Sequence, residues 1–185
     1  MQKQNAASYD RFSIILHWLI AALTIGLFSS GIWMVELDYY DNWYYRAPWW
    51  HTGMGIFTGT LLVIRWGGSM LRHAPSRILS IPPWQRLVAS CIHAVMTSLI
   101  LLLVASGYLM ITLKGDALSV FDWFSIPSLI TAKSAWVDVA GWAHQWLAYC
   151  LIALAAVHAA AALKHHFIDK DATLKRMLGI HRGEI

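Results

Sequence analysis

Charge is the first thing that this sequence lacks. Only 13% of its 185 residues are charged, whereas 58% are hydrophobic. An average soluble domain has about 25% charged residues, so this chain carries roughly half the usual share. Such a composition excludes a disordered chain, a collagen-like fibre and a nucleic-acid-binding module.

Further absences exclude other classes of protein. The chain has only two cysteines, which cannot form a disulfide framework, and it contains no C-x-x-C-H sequence, which excludes covalent attachment of a c-type haem. No A-x-A cleavage pattern follows the first apolar stretch, and that stretch exceeds the about 7–15 residues of a signal-peptide core. We therefore expect it to remain as a membrane span.

Four long segments contain no Asp, Glu, Lys or Arg, namely residues 12–35, 47–64, 87–113 and 139–163. A bilayer core about 30 Å thick needs about 20 apolar helical residues. Buried helices of a soluble protein explain these segments poorly, because the chain has too few polar residues to cover them. The sequence predicts an all-α integral membrane protein, a single domain over 1–185. Its four-helix bundle has spans at about 12–35, 47–71, 87–113 and 139–163.

The basic residues collect on one side of these spans. Eleven precede span one, connect spans two and three, or follow span four: Lys3, Arg11, Arg65, Arg72, Arg77, Arg86, Lys164, Lys170, Lys175, Arg176 and Arg182. The other side has only Arg46, Lys114 and Lys133. The positive-inside rule then places both termini in the cytoplasm. The net charge of +4 is accordingly a topology signal and does not indicate nucleic acid.

Five histidines fall inside the predicted spans. His17, His93 and His158 lie towards the basic, inner side, and His51 and His144 lie towards the outer side. A single histidine at membrane depth is often explained by a hydrogen bond to a neighbouring helix. Five in a chain of this size favour a functional site, because ionisable groups are costly there.

The spacing of two histidines on span four suggests two separate centres. His144 and His158 are 14 residues apart, which brings them within about 40° of the same helix face and about 21 Å apart along the axis. Each centre needs a second histidine at matching depth. His51 supplies it on the outer side and His17 on the inner side, while depth alone leaves His93 open as the inner ligand.

Two histidines per centre favour haem over zinc. Zinc takes three or four clustered ligands, whereas a haem iron takes one axial ligand on each face. A porphyrin also needs room beside each histidine. Small residues provide it on the same helix faces, at Gly55, Gly59, Ala148, Ala155 and Ala162. Close helix packing is the alternative explanation for these small residues, but it leaves the histidines unexplained.

At these residues the chain resembles a known family. Ile15-Leu16-His17-Trp18, Trp50-His51-Thr52-Gly53, Trp142-Ala143-His144 and the segments 157–166 and 167–177 are similar to the bacterial cytochrome b-561 family. The family shares its haem arrangement with the cytochrome b subunits of hydrogenases and formate dehydrogenases.

The resemblance implies a multi-pass protein of the bacterial inner membrane with two non-covalent b haems. It implies that His51 and His144 bind the periplasmic haem iron, and that His17 and His158 bind the cytoplasmic one. The family also has a histidine where His93 stands, which we expect to support a ligand or to face quinone.

Two axial histidines leave no open position on iron, which favours electron transfer over oxygen chemistry. We expect an oxidoreductase that moves electrons between a periplasmic one-electron donor and ubiquinone or menaquinone in the lipid. Superoxide is a candidate donor, because some members of the family oxidise it, and Arg46, Lys114 and Lys133 would attract it. No catalytic residue is predicted.

Three alternatives remain at this point. The chain is a haem-bearing subunit that relays electrons for a separate protein, or it oxidises quinol towards a periplasmic acceptor, or it is a haem-free transporter with a histidine proton relay. Arg65 and Arg72 have two interpretations as well, as partners of haem propionates or as positive-inside anchors.

Overall fold

The computed structural model describes residues 9–71 and 81–180, and these residues are mostly helical. The helices are α1 (Arg11–Met34), α2 (Arg46–Leu71), α3 (Pro83–Thr112), α4 (Ser134–Phe167) and the short α5 (Thr173–Met177). Four of the predicted inner cations, Lys3, Arg72, Arg77 and Arg182, lie outside the described residues.

Three helices of the described chain, α1, α3 and α4, are long and apolar enough to cross a membrane. At most 11% of the most apolar stretch in each is buried, so their apolar side chains face outwards, as lipid-exposed residues do. Helix α2 has 26 residues and sufficient length. It does not reach the same apolarity, because polar residues such as His51, Thr58 and Arg65 interrupt it. A fourth span therefore stays a prediction.

The start of α1 is fixed by a side-chain cap. Asp10 accepts hydrogen bonds from the backbone N–H of Ser13, at 3.0 Å, and from its hydroxyl, at 2.6 Å. A cap of this type satisfies backbone donors that have no partner in the first helical turn. Helix α3 instead begins with Pro83, whose fixed φ and missing N–H suit a first helical position.

The long helices pack as two helix hairpins. Helix α1 lies against α2, and α3 lies against α4, while contacts between the two pairs are sparse. The first hairpin is held by a small core in which Leu16 and Ile20 of α1 meet Leu61 and Leu62 of α2. This division matters for the site, because the predicted ligands come from both hairpins.

The connection between α3 and α4 forms a two-stranded antiparallel sheet, β1 (Leu118–Val120) and β2 (Phe124–Ile126). The described chain is mostly helical, as predicted, but the sequence analysis did not anticipate this small hairpin. The turn is closed by a hydrogen bond of 3.0 Å from the Trp123 N–H to the Val120 carbonyl. A hairpin turn with positive φ at both central positions usually contains Asn-Gly or Asp-Gly. This turn has Phe121 (φ 52°) and Asp122 (φ 57°) instead, so the usual sequence signal is missing.

Side chains hold this strained turn in place. The carboxylate of Asp122 accepts hydrogen bonds from the indole N–H of Trp49, at 3.1 Å, and from the Ser119 hydroxyl, at 2.9 Å. Left-handed backbone at residues other than glycine costs about 1–3 kcal/mol, so such compensating contacts are needed. The turn is thereby tied to the outer end of α2.

The C-terminal segment folds back onto the first helix. The indole N–H of Trp18 donates to the Met177 carbonyl at 2.9 Å. Nearby, Gly179 lies in the left-handed region (φ 71°), and a Cβ there would stand 3.6 Å from Ile14. Helix α5 therefore packs against the inner end of α1.

Candidate functional site

The outer histidines of the prediction lie opposite each other. His51 comes from the second turn of α2 and His144 from α4, so one belongs to each helix hairpin. Their ring centroids are 6.2 Å apart and their planes differ by 67°. Both side chains are half-buried.

The Nδ1 atom of His51 is engaged by the neighbouring helix of its own hairpin. It lies 3.1 Å from the hydroxyl oxygen of Ser30 on α1. That hydroxyl donates to the Leu27 carbonyl at 3.0 Å. Its single hydrogen is thus committed, and its lone pairs remain to accept from the imidazole.

The Nδ1 atom of His144 has an equivalent environment in the second hairpin. It lies 3.0 Å from the hydroxyl of Ser106 on α3, which in turn donates to the Leu103 carbonyl at 3.1 Å. Nδ1 also lies 3.1 Å from that same carbonyl. A carbonyl only accepts hydrogen bonds, so we assign the proton of His144 to Nδ1. The lone pair of Nε2 is then available to a metal.

The inner side brings three histidines together. His17 of α1 and His158 of α4 have ring centroids 6.4 Å apart with planes at 74°. His93 of α3 lies closer to His158, at 5.0 Å. The predicted inner pair thus spans the two hairpins, and the open alternative, His93, is a neighbour within the second.

These separations can be compared with what one iron requires. Two imidazoles bound at about 2.0 Å on opposite faces of a haem iron would have centroids about 6.2 Å apart, since each centroid lies about 1.1 Å behind its ligating nitrogen. The separations of 6.2 Å and 6.4 Å fit that geometry. At 5.0 Å, His93 and His158 are too close to hold an iron between them.

The small residues near the histidines divide into two kinds. A Cβ added to the half-buried Gly55 would meet no atom within 4 Å, so Gly55 borders open space on the His51 face of α2. At Gly59 a Cβ would stand 3.0 Å from Val104. Gly59 therefore permits close packing of α2 on α3, and the expectation that it leaves room for a porphyrin is wrong. Of these two glycines, only Gly55 leaves the space beside His51 that a haem would need.

The predicted stripe on α4 faces inwards. Ala148, Ala155 and Ala162 are half-buried, as are His144 and His158 on the same face. Intervening residues such as Trp142 and Val157 are exposed, as expected on a lipid-facing surface. Both histidines of α4 thus share one inward-facing surface of small side chains.

Arg65 lies towards the predicted inner end of α2 and is half-buried. Its Nη1 donates to the Ser13 carbonyl of α1 at 2.9 Å. A guanidinium has five N–H donors, so this bond leaves capacity for an acidic group such as a propionate. The second predicted cation, Arg72, is outside the described residues.

A further group of metal-binding residue types lies where α4 ends. The Nδ1 of His165 is 3.0 Å from Asp169 and 2.8 Å from Asp171. Lys164 contacts Asp169 at 2.6 Å, and Asp171 accepts from the Thr173 N–H at 2.8 Å. Burial alone would raise the pKa of Asp171, but the hydrogen bonds from Thr173 and His165 outweigh it and hold that pKa below its usual value. The group connects α4 to α5.

Sequence reasoning missed the two serines of the outer site. Each stands before a glycine, as Ser30-Gly31 on α1 and Ser106-Gly107 on α3, at the depth of the outer histidines. This repeated dipeptide was the available signal. An isolated helical serine is ordinarily read as bonding to its own helix, so the pattern alone did not indicate a role.

Comparison with known proteins identifies the family. Residues 8–179 match the family model described as prokaryotic cytochrome b561. The chain is 43% identical over 171 residues to cytochrome b561 homolog 2 of Escherichia coli K12, covering 92% of this chain and 91% of that protein. It is 29% identical over 176 residues to cytochrome b561 homolog 1 of the same organism, covering 92% and 96% respectively. The resemblance seen in the sequence is confirmed, and the chain belongs to the prokaryotic cytochrome b561 family of membrane haem proteins, which transfer electrons.

Proposed function

We propose that this chain crosses the bacterial inner membrane four times, with both termini in the cytoplasm, and holds two b haems. It passes electrons between a periplasmic one-electron donor and quinone. The observation that supports this most strongly is that the histidines form two pairs, one towards each end of the helices. Their ring separations of 6.2 Å and 6.4 Å each suit one iron.

The proposed ligands are His51 and His144 for the outer haem, and His17 and His158 for the inner haem. A bound haem supplies a one-electron iron couple. With two histidines holding each iron, no position would be left for oxygen at the metal. His93 is too close to His158 to share an iron with it, and we assign it a supporting role beside that ligand.

The placement of the two pairs suits transfer across the membrane. His144 and His158 stand about 21 Å apart along α4, which spans much of a core about 30 Å thick. Electrons therefore enter at one face and leave at the other or to a carrier in the lipid. Ubiquinone or menaquinone is the carrier of that phase, and reducing one molecule to quinol takes two electrons.

The outer surface offers a local site for an anionic donor such as superoxide. Lys114 and Lys133 are exposed, and their neighbours in sequence are joined by a backbone hydrogen bond of 3.0 Å from Ala132 to Leu113. The two lysines therefore lie at adjoining points of the chain. Arg46 begins α2 on the same side.

The wider field of this surface is negative. The outer side has six acidic residues and only three basic ones. The acidic residues are Glu36, Asp38, Asp41, Asp116, Asp122 and Asp138. Attraction of a small anion is thus confined to the vicinity of the lysines, within a Debye length of about 8–10 Å.

The same negative surface favours a second candidate function. A basic region on a periplasmic protein would be complementary to it, and complementary charge speeds association of protein partners. In that case the chain relays electrons to or from that protein. If that protein is an electron acceptor, the chain would oxidise quinol and pass the electrons to it.

Stopped-flow mixing of the oxidised holoprotein with superoxide tests the proposal, with and without added quinone. We expect rapid haem reduction that slows with ionic strength and slows again in Lys114→Gln/Lys133→Gln. The inner-side variant Lys170→Gln is the matched control and should behave as wild type. Haems that stay oxidised under superoxide but are reduced by quinol would favour the second candidate. A purified chain without a b-haem absorption spectrum would favour the proton-relay transporter.

A further inference from the structure

The outer histidines share a supporting arrangement that the inner histidines lack. Ser30 and Ser106 engage the Nδ1 atoms of His51 and His144 at 3.1 Å and 3.0 Å. Among the residues that the structure describes, no hydrogen bond reaches a ring nitrogen of His17 or His158.

The residue after each serine sets how closely the imidazole approaches. A Cβ on Gly31 would stand 3.2 Å from Cε1 of His51, and one on Gly107 would stand 3.3 Å from Cε1 of His144. Both distances are tighter than ordinary contacts, so any side chain there would displace the ring. Each Ser-Gly dipeptide thus provides a hydrogen-bond acceptor and a flat surface for one imidazole.

The direction of the hydrogen bonds follows from the partners. Each serine hydroxyl donates to a carbonyl of its own helix, Leu27 or Leu103, and offers its lone pairs to Nδ1. The imidazole therefore donates from Nδ1, and Nε2 carries the lone pair that a metal requires. A hydrogen-bond acceptor on the distal nitrogen also makes the imidazole a more basic ligand.

The dipeptides act within each hairpin. Ser30 of α1 supports His51 of α2, and Ser106 of α3 supports His144 of α4. Each ligand of the outer centre is thus oriented by a contact within its own hairpin. His51 and His144 are thus contacted in the same way, each by a serine from the other helix of its own hairpin.

We propose that Ser30-Gly31 and Ser106-Gly107 are positioning elements for the outer haem, which fix the tautomer and rotation of His51 and His144 and set the potential of that haem alone. This rests on the proposed ligand set. Removing an acceptor makes the imidazole a weaker donor to ferric iron, so the midpoint potential of the outer haem should rise. Its affinity for haem should fall by about 10- to 100-fold.

The two serines should differ in strength. His144 Nδ1 keeps the Leu103 carbonyl at 3.1 Å when Ser106 is removed. For His51, Ser30 is the one ring-nitrogen partner that the structure shows among its described residues. The effect of losing Ser30 should therefore exceed that of losing Ser106.

The test compares Ser30→Thr with Ser30→Val in the full-length holoprotein. These side chains have nearly the same shape, and only threonine keeps the hydroxyl. Ser29→Ala is the matched control, because within the described residues the Ser29 hydroxyl bonds only to the Ile25 carbonyl of its own helix. The readouts are haem content by pyridine haemochrome, redox titration of each haem, and the low-spin EPR signal, which reports the angle between ligand planes.

We expect Ser30→Thr and Ser29→Ala to match wild type, whereas Ser30→Val raises the outer potential or loses the outer haem and leaves the inner haem unchanged. Ser106→Val should shift the same haem by less. Identical behaviour of the threonine and valine variants, or equal shifts of both haems, would overturn the proposal. His51→Ala tests the proposed ligand set separately from the role of the serines. Retention of both haems in that variant would contradict the ligand set itself.

Discussion

Phe121, at the tip of the outer β-hairpin, lies directly against Gly53 of α2. A Cβ added to Gly53 would come within 2.5 Å of the aromatic ring, a distance that no real side chain tolerates. The ring also contacts Trp49 and Trp50, at centroid distances of 5.3 Å and 5.5 Å. The hairpin therefore covers α2 two residues from His51.

We first predict that Gly53→Ala destabilises the protein, because Phe121 and its strained turn must move. Overpacking of this kind costs about 1–3 kcal/mol, which should lower the apparent melting temperature in detergent. Gly26→Ala is the control, since a Cβ there meets no atom within 4 Å. The double variant Gly53→Ala/Phe121→Ala should recover part of the loss. Equal melting temperatures for Gly53→Ala and Gly26→Ala would contradict this contact.

The second prediction concerns the haem ligands. Replacing His51 or His144 with alanine should remove one haem, and replacing His17 or His158 should remove the other. His93→Ala should keep both, because His93 lies only 5.0 Å from His158, too near for an iron between them. Haem per chain is measured by pyridine haemochrome. If His93→Ala loses a haem while His17→Ala keeps both, the inner pair is wrong.

The third prediction is the orientation in the membrane. A reporter that is active only in the cytoplasm should be active when fused after Ile185 and silent when fused after Tyr40. The reason is the excess of eleven basic residues over three on the inner side. Reporter activity at Tyr40 would show that the protein has the opposite orientation in the membrane. The two histidine pairs would then exchange their cytoplasmic and periplasmic positions.

A fourth prediction follows from the lowered pKa of Asp171. A carboxyl whose pKa is lower in the folded state stabilises it above the ordinary Asp value of about 3.9, and this contribution is lost as the pH falls through the lower folded pKa. Helix α5 should then detach from α1 in acid. The ¹⁹F resonance of fluorinated Trp18, whose indole N–H bonds to Met177, should report it.

Asp171→Asn is the comparison for this titration. The amide does not ionise, so the variant should lack the acid-dependent change of the Trp18 resonance. A Trp18 resonance that responds to acid equally in both proteins would show that another group controls the docking of α5.

Helical periodicity made much of this arrangement predictable. His144 and His158 fall on one face because 14 residues nearly complete four turns, and the structure places both on the inward surface of α4. The sequence did not distinguish Gly55 from Gly59, because one turn of α2 faces open space and the next faces Val104. That difference depends on how neighbouring helices are set against each other, which local spacing does not encode.

The outer β-hairpin could not be predicted for a different reason. Its turn residues, Phe121 and Asp122, lack the glycine or asparagine that marks such turns. The turn forms because Trp49 and Ser119 stabilise Asp122 and because Gly53 leaves room for Phe121. Contacts between segments far apart in sequence thus override the local preference.

The division into two helix hairpins bears on how the protein is made. Each proposed ligand pair takes one histidine from the first hairpin and one from the second, and both second histidines, His144 and His158, lie on α4. The ribosome completes this helix last among the four long ones. A nascent chain that has inserted only α1 and α2 presents one histidine for each centre and cannot hold either haem by two. Neither proposed histidine pair can therefore be complete before α4 has been synthesised.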